Sequence, residues 1–130
     1  MLTVRIGDID FPSESISKMQ LVRNRYREYI ISQDREFQGN LHIQDINISV
    51  PTLVSVRDFM KRFPNVQIAI LLPRTRPARD IVRDDLWRWI SDLNKTGLKD
   101  LHDAAYILGY FSLFDITSLI LSEDIDYKSL

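Results

Sequence analysis

Apolar and polar residues alternate at the start of the chain, with Leu2, Val4 and Ile6 on one side and Thr3 and Arg5 on the other. That period of two predicts a strand. Gly7-Asp8 offers a turn, and Ile9 to Phe11 can return beside the first strand as a hairpin. Pro12 has no N–H for a ladder, so it ends the second strand or confines it to an edge. From Ser17 the period lengthens to that of a helix. Met19, Val22, Tyr26, Tyr29 and Ile30 share one face, while Lys18, Arg23, Arg25 and Arg27 take the other. Ser17 and Gln20 have the spacing of a capping box. The polar stretch 32–40 reads as a loop, and Leu41, Ile43 and Ile46 predict a short third strand.

Pro51 suits the first turn of a second long helix, whose stripe is Leu53, Val56, Phe59, Met60 and Phe63 and whose end is marked by Pro64. Val66 to Leu72 is an apolar run of strand length, followed by a loop rich in Pro and Arg from Pro73 to Arg79. Three helices complete the pattern. The first is capped by Asp80 and turns Leu86, Trp89, Ile90 and Leu93 inward. The second is capped by Thr96, with Leu98, Leu101, Ala104, Ala105 and Leu108 inward, and Gly109 stands where a helix C-terminal glycine belongs. The third opens on Ser112-Leu113-Phe114-Asp115, with Leu113, Ile116 and Ile120 inward. The expected architecture is α/β, a small mixed sheet with a helical layer. Residues 1–121 form one domain in this reading, and residues 122–130 form an acidic C-terminal tail.

Composition narrows the function. A chain of 130 residues is the size of one domain. It has no cysteine, which removes disulfides, thiolate metal sites and cysteine nucleophiles. A formal net charge of −1 lacks the basic excess of a nucleic-acid binder. No stretch reaches the ~20 apolar residues of a membrane span, and the N-terminus does not read as a signal peptide. The expectation is a cytoplasmic or nuclear protein that binds neither nucleic acid nor membrane.

The chemistry-bearing residues are dispersed. His42 falls in an alternating strand and His102 on the polar side of a helix, without a partner at metal-binding spacing. The four glycines are too scattered for a phosphate loop, and no nucleophile elbow occurs. Asp84-Asp85 and the group Glu123, Asp124 and Asp126 read as solvated acidic surface. No enzyme, cofactor or metal is expected. Two features point outward instead. Arg74, Arg76, Arg79 and Arg83 form a basic cluster that can meet an anionic partner, although Asp80, Asp84 and Asp85 offset much of its charge. Trp87 and Trp89 sit on opposite sides of one helix, so only one of them can face the core. Around the end of the next helix lie Tyr106, Ile107, Gly109, Tyr110 and Phe111. The inward stripe there is already complete, which leaves the large residues of this group as candidate interface anchors.

The segment from Leu98 to Leu121, LKDLHDAAYILGYFSLFDITSLIL, resembles the paired helices of the BTB/POZ superfamily, in the branch of the Skp-type cullin adaptors and elongin C. The residues that carry the resemblance are Ala104-Ala105, Tyr106-Ile107, Leu108 and Gly109, then Leu113, Phe114, Asp115 and Thr117. The segment from Asp80 to Leu93, with Trp87, is similar to the stretch that precedes this pair in Skp-type adaptors. The order of elements in the first half agrees as well. The resemblance implies a BTB/POZ (Skp-like) fold and a non-catalytic adaptor. Its partners would be a cullin of a ubiquitin ligase complex and a receptor bearing an F-box or similar helical box. Tyr106 and Ile107 stand where cullin-binding members carry a polar-aromatic pair, and Gly109 stands where they carry an acidic residue. Those departures fit an alternative, a structural subunit that uses the same fold within a larger assembly such as a viral particle.

Overall fold

The computed structural model describes residues 3–32, 39–64 and 84–128, with residues 32 and 122–128 described by their backbone alone. The first strand, β1, spans Thr3–Ile6 and turns at Gly7 into β2, Ile9–Phe11. The pair is antiparallel, with Val4 opposite Phe11 and Ile6 opposite Ile9. Gly7 has a φ of 58°, the left-handed conformation that a tight hairpin demands and that glycine adopts without steric cost. The third strand, β3, spans Asn40–Ile43 and lies parallel to β1, so the sheet order is β2-β1-β3. Strands that run parallel need a crossover, and the intervening helices supply it. Val4, Ile6, Leu41 and Ile43 alternate inward and are buried, as the period of two requires.

The crossover differs from the single helix that the apolar spacing predicts. Its described residues form two helices, α1 at Ser15–Lys18 and α2 at Gln20–Ser32. Met19 between them is extended, with φ −112° and ψ 120°, and forms an isolated antiparallel bridge with Tyr110. The Gln20 N–H donates to the Gly109 carbonyl at 3.1 Å. A contact distant in sequence therefore overrides local helix propensity at this point. Ile30, expected inside, is 53% exposed near the end of α2.

Helix α3, Val50–Arg62, begins after Ser49 with Pro51 in its first turn and buries Leu53, Val56, Phe59 and Met60. Phe59 is the hub of the core. Its ring centroid lies 5.7 Å from Phe63, 5.8 Å from Trp89 and 5.6 Å from Tyr110, the last edge-on. Such tilted contacts bring positive ring edges to negative ring faces.

Three helices end the chain: α4 at Asp84–Ser91, α5 at Lys95–Leu108 and α6 at Phe111–Lys128. Leu86 and Ile90 of α4 are buried, whereas Trp87 and Trp89 are both half-buried. The cap of α5 is Asn94, not Thr96, and its side chain accepts from the Gly97 N–H at 2.6 Å. The expected inward stripe of α5 is buried in full. The α6 backbone stays helical to Lys128, past Ser122, where a tail was expected. No described helix is long and apolar enough to cross a membrane. The strand expected at Val66 to Leu72, the loop from Pro73 to Arg79 and the cap at Asp80 lie outside the described residues.

Candidate partner interface

The turn between α5 and α6 divides its side chains sharply. Gly109 follows the last turn of α5 with φ 69° and ψ 33°. Its N–H donates to the Tyr106 carbonyl at 3.2 Å, and the Tyr110 N–H donates to the Ala105 carbonyl at 2.9 Å. This pair of bonds is the Schellman motif, in which the residue after the glycine commonly packs back on the third residue from the helix end. Here those residues are Tyr110 and Ala105, and both are buried. A β-carbon added to Gly109 would stand 2.5 Å from the Gln20 side chain and 3.1 Å from its backbone nitrogen. Gly109 is therefore required twice, by its backbone angle and by the close approach of Gln20.

Tyr110 is 2% exposed and belongs to the core, so the expectation that it anchors a partner is corrected. Burial raises its phenol pKa well above the ordinary value, and the nearby Glu14 carboxylate adds to the shift. Gly109 likewise has a packing role. The other three predicted anchors do lie at the surface: Tyr106 is 74% exposed, Phe111 61% and Ile107 46%.

The exposed residues belong to a larger surface that the sequence did not make visible. The Tyr106 ring lies 5.8 Å from Phe114 of α6, and Phe114 in turn stacks on His102 at 4.5 Å. His102 and Tyr106 are four apart on α5, while Phe111 and Phe114 are three apart on α6, so each pair shares one helix face. The seam beneath is pinned by a buried hydroxyl. Thr117 Oγ1 donates to the Leu113 carbonyl at 2.9 Å and lies 2.9 Å from His102 Nδ1. The same hydroxyl also lies 3.0 Å from the Phe114 carbonyl, and it can accept from the imidazole in the tautomer that carries the proton on Nδ1. His102 thus bridges α5 and α6, a role that its position on the polar side did not reveal.

On the other flank, Ile107 meets an open cleft of about 330 Å³ between α5 and the segment that leads into α3. Asn47, Ile48 and Ser49 form one wall, and Asp100, Asp103 and Ala104 form the other. Among the described residues no group of three histidines and carboxylates converges as a metal site would. His42 Nε2 lies 3.0 Å from the Gly7 carbonyl, next to the hairpin turn. Arg74, Arg76, Arg79 and Arg83 lie outside the described residues. No protein-family model matches the chain, and no curated protein matches it in sequence.

Proposed function

We propose that the protein is a non-catalytic adaptor of BTB/Skp type. Its partner would dock on the surface formed by Tyr106, Ile107, Phe111 and Phe114. The observation that carries the reading is the exposure of three large apolar side chains on one helical hairpin whose core is already filled. Exposed aromatic groups grouped on rigid helices are typical interface anchors. The mixed fold supports the reading in a coarser way: a hairpin, a helical crossover, a strand parallel to the first and a packed terminal helix pair follow the order that the resemblance implies. Within that reading the partner is a cullin scaffold or an F-box-like receptor.

The test is gel filtration of the purified chain with a cullin N-terminal domain. Co-elution is expected. Separate elution would favour the second reading, a structural subunit, for which one observation speaks directly. Gly109, at a position where the cullin adaptors carry an acidic residue, is here committed to packing against Gln20.

A further inference from the structure

Asp100, Asp103 and Ile107 follow the spacing i, i+3 and i+7 along α5, so they lie on one face of it. All three line the cleft, opposite Asn47, Ile48 and Ser49. Ile107 is also one of the exposed anchors and is adjacent in sequence to Tyr106, so the cleft flanks the aromatic surface on α5. At about 330 Å³ the cleft stands at the floor of the range for small-molecule sites, ~300–1,000 Å³, and suits one long side chain better than a whole ligand.

The charge of the cleft is unbalanced. Asp10, Glu14, Asp45 and Asp58 each have a cationic partner within 4.0 Å. Asp100 and Asp103 have no ion pair of that kind among the described residues, and both are exposed. The N-terminus of α3 opens on the same cleft, but a helix end carries only about half a positive charge. Two carboxylates outweigh it. The facing wall adds only uncharged polar side chains, those of Asn47, Ser49 and Thr52, the last two hydrogen-bonded to each other at 2.8 Å.

We propose that the partner segment is a basic amphipathic helix. The inference rests on the docking surface of the adaptor reading and specifies what fits it. Apolar side chains of the segment cover Tyr106, Ile107 and Phe111, and an arginine or lysine enters the cleft beside Asp100 and Asp103. Seven helical residues separate Asp100 from Ile107, a rise of about 10 Å. A partner helix laid along α5 therefore carries its basic residue two turns from its apolar anchor.

The test uses two fluorescent alanine-based helical peptides. Both carry leucine at positions i and i+4. One carries arginine at i+7 and i+11, and the other carries glutamate there. Fluorescence anisotropy should show binding of the arginine peptide alone. Asp100→Asn with Asp103→Asn should weaken it by roughly tenfold, and raising the salt to 0.5 M should act in the same direction. Tyr106→Ser with Phe111→Ser should abolish it. Equal binding of the two peptides would overturn the inference. So would an arginine peptide insensitive to the aspartate substitutions but lost with the aromatic ones, an outcome that leaves the docking surface itself intact. Failure of the arginine peptide to bind the wild-type chain would also overturn it, whatever the cullin domain does.

Discussion

Tyr106 and Tyr110 are the same residue four positions apart, yet one is 74% exposed and the other 2%. On a continuous helix they would share a face. The left-handed turn at Gly109 breaks that equivalence by swinging the chain, so that Tyr110 packs back on Ala105 and against Phe59. Phe111, the next residue, opens α6 and points outward again. A span of six residues thus holds both a fully buried tyrosine and two aromatic residues exposed by 74% and 61%. Chemical type does not separate the two regions; the backbone turn does.

The largest effect expected from breaking this contrast is that of Tyr110→Ala. Removing a buried aromatic residue costs about 3–5 kcal/mol, so urea denaturation should show a large drop in midpoint. Tyr106→Ala should change the midpoint little. Comparable losses at both positions would mean that the division is misplaced. Gly109→Ala comes next. It combines a disfavoured positive φ with a β-carbon 2.5 Å from Gln20, and about 2–4 kcal/mol is expected by the same measurement.

A smaller effect sharpens the comparison through pH. The Tyr110 phenol has a raised pKa in the folded state. Between the unfolded value near 10 and that higher folded value, the native state holds a proton that the unfolded state releases. The contribution to stability is therefore complete below pH 10 and is lost as pH rises through the folded value. Tyr110→Phe should match the wild type in melting temperature at pH 7 and lose less between pH 9.5 and 11.

Much of the fold was legible wherever one periodicity acts without competition. The three described strands as far as Ile43, the α3 stripe and the inward residues of α5 follow directly from periods of 2 and 3.6. The failures share a physical cause. Met19 lies on the apolar face of a plausible helix, but its pairing with Tyr110 is a contact 91 positions away in sequence, which no local window contains. Asn94 and Thr96 are both capping residues, and the choice fell to the side chain that reaches the Gly97 N–H. Ser112 has capping-box spacing, yet α6 begins one residue earlier because the turn leaves the Tyr110 carbonyl ready to accept from the Phe114 N–H at 3.0 Å.

The candidate surface was legible in part. Tyr106, Ile107 and Phe111 followed from an inward stripe that was already complete. Tyr110 was misassigned because helical geometry was carried across a glycine. The signal that corrects it is present in the sequence, since a helix-ending glycine followed by a large apolar residue is the pattern of a Schellman turn. The part played by Phe114 and His102 was not legible, because it depends on how α5 and α6 face each other.

The central claim is that the aromatic groups flanking this turn are free for a partner while those within it hold the core. Thermal denaturation of Tyr106→Ser with Phe111→Ser tests it most directly, because serine has nearly the helix propensity of tyrosine and phenylalanine. A cooperative transition within about 3 °C of the wild type is expected, as for other changes at the surface. A fall of 10 °C or more, or loss of cooperativity, would show that these rings are structural and would contradict the account.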